Sequence, residues 1–231
     1  MKKKIVIVGA SKGIGNAIAK RLSGGGHSIT AMNRSEGDLQ GIQNVSHVVY
    51  DAVGTNDFPS INGLVDGVVY CPGSINLKPF HRLTEMDFLA DININLLGAV
   101  KTIHTLLPNL KEAENPSIVL FSTVAVQTGM GFHASVSAAK GAVEGLTRSL
   151  AAEFAPKIRV NCIAPSLTDT PLAERLLSSP QKREAAEGRN PMRKVGTSDE
   201  VAAMAEFLLT GESTWITGQI FHVDGGMGAL R

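Results

Sequence analysis

The run Gly9-Ala10-Ser11-Lys12-Gly13-Ile14-Gly15 has the spacing of a turn built to take a phosphate. Gly9 lets the chain reverse sharply, and Gly13 and Gly15 let backbone come close to a ligand and to the strand beneath. A helix opening here offers unpaired N–H groups and a positive dipole end, so a pyrophosphate fits without a cationic side chain. Further along, Asn33-Arg34 stands where dinucleotide folds carry either an acid for the ribose hydroxyls or an arginine for a 2′-phosphate. The acid is missing there, Asp38 follows as a late alternative, and Lys12 adds a second cation. The pattern points to NADP(H) over NAD(H). Glycines also serve ordinary tight turns, and arginines ordinary surfaces, so the rest of the chain has to support this reading.

The elements that would position the turn are legible around it. Ile5-Val6-Ile7-Val8 reads as a strand covered on both faces, as in a parallel sheet. Ile14, Ala17, Ile18 and Leu22 form one face of the helix that follows, which Gly24-Gly25-Gly26 ends. Further strands are expected at Ser28–Met32, Val45–Tyr50, Gly67–Cys71, Ser117–Phe121, Ile158–Ile163 and Gln219–Val223. Between them lie a long helix from about Asp87 to Pro108, a helix striped by Val143, Leu146, Leu150 and Phe154, and a helix Val201–Leu209. Thr197-Ser198-Asp199-Glu200 is a capping box in front of the last.

At 231 residues with 43% hydrophobic composition, the chain is expected to bury a full core as one domain, 1–231. Its net charge of +1 and pI near 7.8 give no support to a nucleic-acid or membrane partner. Lys2-Lys3-Lys4 precedes only a four-residue apolar run, too short for a signal-peptide core or a membrane span. Cys71 and Cys162 fall on expected buried strands, where free thiols act as small hydrophobes; a cytoplasmic, reduced protein is the simplest expectation.

With Asp51-Ala52, Gly73, Asn95-Leu96-Leu97-Gly98, Lys140, Pro165 to Thr170, Asn190 to Gly196 and Asp224-Gly225-Gly226, the glycine turn resembles the short-chain dehydrogenase/reductase family from residue 4 to about 228. The resemblance implies an α/β fold: a Rossmann-type, doubly wound parallel sheet of about seven strands flanked by helices. The cofactor would lie across the strands' carboxyl ends at the topological switch point. It implies a cofactor site from Gly9, Ser11, Lys12, Gly13, Ile14 and Gly15, with Asn33 and Arg34 beside it. Asp51 and the N–H of Ala52 would meet the adenine edge, and Cys71-Pro72-Gly73 stands where the family carries Asn-Ala-Gly. Pro165, Ser166, Thr168 and Thr170 would line the nicotinamide and diphosphate side, and Lys140 would hold the ribose. Asn95 would sit at a helix irregularity holding a water of the proton relay, and residues 171–194 would form a mobile lid over a small-molecule substrate. Only about fifteen residues separate Asp51 from the fourth strand, so the family's crossover helix is expected to shrink to a turn or two. The helices carrying Asn95 and Lys140 pair between subunits in this family, which implies a homo-oligomer, tetramer or dimer. No metal site is expected.

The family's acid is a tyrosine four residues before the lysine, with a serine thirteen residues upstream of it. Here those positions hold Val136 and Thr123, with Ser122 beside the latter. The only tyrosines, Tyr50 and Tyr70, are expected on strands and cannot stand in. Three readings stay open. In the first, hydride goes to a carbonyl or a conjugated C=C while the proton comes from His133, Ser135, Ser137 or water. His133 lies seven residues before Lys140, the tyrosine–lysine spacing of the superfamily's enoyl-carrier-protein reductases, and a histidine supplies a proton near neutral pH. In the second, the chain is an NADP(H)-binding regulatory or partner subunit. In the third, the glycine turn is a relic in a scaffold.

Overall fold

The computed structural model describes residues 2–54 and 57–230. In chain order it builds β1 (Lys4–Val8), α1 (Gly13–Gly24), β2 (Ser28–Asn33), β3 (Val45–Val49), β4 (Gly67–Tyr70), α2 (Glu85–Ile92) and α3 (Gly98–Glu112). There follow β5 (Ser117–Phe121), α4 (Val124–Thr128), α5 (Ala134–Phe154), β6 (Arg159–Pro165), β7 (Thr168–Asp169) and α6 (Pro180–Arg189). β8 (Gly196–Thr197), α7 (Ser198–Thr210) and β9 (Ile220–Val223) complete it.

Seven parallel strands form one sheet in the order β3-β2-β1-β4-β5-β6-β9, and β7 pairs separately with β8. β1 is bonded to β2 on one side and β4 on the other, with Val8 level with both Met32 and Tyr70. The crossovers therefore leave β1 in opposite directions, and the crevice this opens lies above Gly9. Alternation along the strands divides the core into two layers. Ile5, Ile7, Val69 and Val119 face Ile18 and Leu22 of α1 and Val201, Ala205 and Leu208 of α7. Val6, Val8, Val68 and Leu120 face Ile103, Leu106 and Leu110 of α3 and Val143 of α5.

Several local expectations need correction. Among the described residues the segment from β3 to β4 holds no helix at all, not even the turn or two expected. The long helix is two: α2 and α3 meet through a π-helical stretch, Asn93–Leu97, and α3 runs past Pro108 to Glu112. Cys71 lies beyond the end of β4 and is only half-buried, whereas Cys162 is buried within β6. A short helix, α4, follows β5 before the lysine helix, and α5 starts at Ala134. Residues 171–194 contain a 3-10 turn and α6, whose N-terminus Ser179 caps by accepting from Lys182 N–H. Among the described residues no helix is long and apolar enough to cross a membrane.

Candidate cofactor and active site

The glycine turn closes over the end of β1 by steric necessity. A side chain at Gly15 would overlap the Gly9 carbonyl oxygen, so α1 rests directly on the turn. Gly9 has φ +83°, and a Cβ there would press on Pro72 at 2.9 Å, which sets the β1 and β4 loops against each other. Gly13, at φ +58°, faces Thr170 across 3.4 Å. Lys12 occupies the N-cap of α1 without a side-chain cap, and no acid lies in the first turn. The helix dipole and free N–H groups thus point into the crevice without an internal anion.

The end of β2 is tied to this turn. Asn33, buried, accepts a hydrogen bond from the Ala10 N–H through Oδ1. Asp38 N–H donates to Ser11 O at 2.9 Å, which lays the loop after β2 against the turn. Arg34 and Lys12 are both exposed at this edge. Asp51 caps its own turn, accepting from Val53 N–H at 3.1 Å, and the Ala52 carbonyl approaches Gly98. On the far side Thr170 accepts from Ala173 N–H at 3.3 Å, and the Thr168 hydroxyl donates to Ser166 O at 3.1 Å just beyond Pro165.

The chemical end lies past Gly73. Were Gly73 to carry a Cβ, it would sit 3.2 Å from Asn95 Oδ1 and 3.4 Å from Lys140 Nζ. Glycine therefore leaves a small cradle between the amide and the ammonium. Asn95 is 1% exposed; its Nδ2 donates to Ser74 Oγ at 2.9 Å and Asp91 O at 2.8 Å, and its Oδ1 has no partner among the described residues. The Ser74 hydroxyl donates to Asp91 Oδ1. Lys140 Nζ donates to Phe121 O at 2.9 Å, and burial lowers the amine to about 8. Desolvation pushes the thiols of Cys162 and of Cys71, whose residue keeps part of its surface exposed, up to about 12, so they are neutral beside it.

Thr123 is the N-cap of α4, with Oγ1 accepting from Ala125 N–H at 3.3 Å. Ser122 is not brought to the site: its hydroxyl turns into the core and donates to Glu144 Oε1 at 2.7 Å. Val136 is 5% exposed. His133 is half-buried, and its Nδ1 meets Gly131 O at 2.7 Å; a carbonyl only accepts, so Nδ1 carries the proton and Nε2 is the other face. It lines a cavity of about 280 Å³ with Lys78, Phe80, Met130, Phe132 and Ser137. Tyr70, buried, donates to Ile94 O at 2.6 Å.

Sequence reading missed Ser74 and Asp91, which hold Asn95, and Lys78 and Phe80, which line the cavity. Asn95 reaches Asp91 at its main-chain carbonyl, and the Asp91 carboxylate meets Ser74 from a distant loop, so neither contact had a signal in the sequence. Among the described residues no cluster could hold a metal ion.

This architecture has relatives. A family model described as enoyl-(acyl carrier protein) reductase matches residues 50–228. A tropinone reductase homolog of Arabidopsis thaliana is 33% identical, with 96% of this chain and 91% of the relative covered. L-xylulose reductase of Bos taurus is 30% identical over 97% and 96%. The structure of ElxO with NADP bound superposes with a TM-score of 0.86 at 25% identity, covering 98% of this chain and 99% of that one. The chain belongs to the short-chain dehydrogenase/reductase family, whose members are oxidoreductases on this fold.

Proposed function

We propose that the protein is an NADPH-dependent reductase acting on a carbonyl or a conjugated C=C of a compact small molecule. The observation that carries this is the cradle at Gly73, where Asn95 Oδ1 and Lys140 Nζ converge. A scaffold has no need of a buried amide oxygen without a partner beside a buried amine.

The residues present fit the dinucleotide: Gly9 and Gly15, whose side chains would collide with Pro72 and the Gly9 carbonyl, Gly13 at a positive φ, an uncapped helix N-terminus, and an orphaned polar atom in a glycine cradle. NADPH, when bound, supplies the hydride. Gly9, Ser11, Gly13, Ile14 and Gly15 would hold its pyrophosphate, with Lys12, Asn33 and Arg34 at the 2′-phosphate and Asp51 and Ala52 at the adenine. Cys71, Pro72 and Gly73 would back the ribose that Lys140 holds, and Pro165, Ser166, Thr168 and Thr170 the nicotinamide side. Thr123 would hydrogen-bond the substrate oxygen, and His133, which lines the cavity, would supply the proton from Nε2 when it is the imidazolium, ending as the neutral ring with its Nδ1–H still on Gly131 O. Phe80, Met130 and Phe132 give that cavity an apolar side, with Lys78, His133 and Ser137 as its polar groups. Residues 171–194 would close over it.

The same reading includes a homo-oligomer. Met86, Leu89, Leu97 and Val100, 38–71% exposed on α2, α3 and the stretch between them, are the apolar surface it would cover.

The test is oxidation of NADPH, with NADH alongside, against a matched panel of ketones, enones and enoyl thioesters. Turnover on one class, cut at least tenfold by His133→Phe, is the expected result. Tight NADPH binding without turnover on any class would instead favour a cofactor-sensing subunit.

A further inference from the structure

The π-helical stretch Asn93–Leu97 places Asn95, and its hydrogen bonding is not closed within the helix. In an α-helix the Gly98 N–H would pair with Ile94 O; here it donates to Asn93 O. Ile94 O thereby loses its regular donor. The phenol of Tyr70, from the end of β4, takes that place at 2.6 Å. Tyr70 is 2% exposed, and burial raises its pKa, so it stays a neutral donor. Gly98 is the counterpart: a Cβ there would overlap Tyr70 Oη and come within 2.9 Å of Cζ, with the Ala52 carbonyl closing the other side at 3.3 Å.

We infer that Tyr70 and Gly98 form a lock that holds the π-turn and thereby aims Asn95 at Lys140's cradle, making Tyr70 a positioning residue for the proposed reduction. The lock is a pair: the hydroxyl stabilises an irregular turn, and the missing side chain at 98 admits the ring. Removing the hydroxyl restores the competition between Asn93 O and Ile94 O for the Gly98 N–H. A turn that relaxes toward regular α geometry rotates Asn95 by a fraction of a residue, away from Ser74 and Asp91 O, its present partners. A buried tyrosine could also serve packing alone; the orphaned carbonyl it satisfies and the glycine fitted to its oxygen argue for the more specific role.

The inference rests on the reductase reading only for its consequence in turnover, and the closing experiment separates the two. Tyr70→Phe, Gly98→Ala and the double variant would be compared with the parent by amide hydrogen exchange across residues 93–100, by NADPH binding and by kcat. Tyr70→Phe is expected to speed exchange of the Gly98 amide at least tenfold and to cut kcat about tenfold, with KM and the NADPH Kd within twofold. Gly98→Ala is expected to lower Tm by several degrees. Adding Tyr70→Phe to Gly98→Ala should return part of that Tm without returning kcat. Parent-like exchange in Tyr70→Phe would overturn the lock whatever the activity, and equal loss of kcat, NADPH binding and Tm would reduce Tyr70 to packing. A parent chain that turns over no substrate would count against the reductase reading, while the exchange data would still decide the lock.

Discussion

Lys140 Nζ reaches from α5 to donate 2.9 Å to the carbonyl of Phe121, the last residue of β5. The bond fixes an amine in the cradle below Gly73, and the same burial makes it give up its proton early.

Burial lowers Lys140 from 10.5 to about 8, so the folded chain binds this proton less tightly than the unfolded chain. Below pH 8 both states hold it and the full burial penalty applies. Between about pH 8 and 10.5 the unfolded state binds more protons, so stability rises with pH, by up to about 3 kcal/mol in all. Urea unfolding of the parent and Lys140→Met across this window should show the parent gaining and the variant lacking that gain. Parallel curves would refute the burial. NADPH binding should weaken in the parent as pH passes 8, because the neutral amine loses its attraction for the nucleotide's charge.

Arg34 is exposed beside the turn where the 2′-phosphate would lie. Replacing it with alanine should weaken NADPH about 10- to 100-fold, the value of one or two charge-assisted hydrogen bonds, and leave NADH nearly unchanged. Fluorescence titration reads this directly. An equal loss for both nucleotides would move the arginine's role to general electrostatics.

Gly15→Ala forces a methyl group into Gly9 O, and should cost about 1–3 kcal/mol together with nucleotide binding. Gly145, mid-α5 with open space beside it, is the control: alanine there should add about 0.5–1 kcal/mol. Thermal melts of the two variants moving in the same direction would contradict the contact geometry.

Asn190 binds the two ends of the last third together. Its Nδ2 donates to Asp224 O at 2.8 Å, its Oδ1 accepts from Met192 N–H at 2.9 Å, and Asp224 in turn accepts from the N–H groups of Gly226 and Gly228. Asn190→Ala should destabilise by about 1–3 kcal/mol, because it strands buried backbone groups. Denaturant titration giving less than half of that would show the anchor to be redundant.

Strand positions were legible because parallel strands buried on both faces are runs of branched residues, as at Ile5–Val8 and Ser117–Phe121. The glycine turn was legible for the opposite reason, since each glycine there excludes a side chain. What stayed hidden depends on distant partners. Ser122 and Thr123 are adjacent hydroxyls in sequence, and only the fold sends one to Glu144 and leaves the other to cap α4. The irregularity at Asn95 was expected from its resemblance to the family, but its cause, a phenol donated by a strand twenty-four residues earlier, has no local signature. Among the described residues the segment between β3 and β4 has no helix; in sequence it reads only as short, and shortness alone does not say whether a turn of helix survives.

The most direct measurement is a titration of the parent chain with NADPH and with NADH, following nicotinamide fluorescence. Saturable one-to-one binding is expected, with NADPH at least about tenfold tighter, near 1.4 kcal/mol. Equal affinities would contradict the cofactor preference, and binding of neither would contradict the site itself.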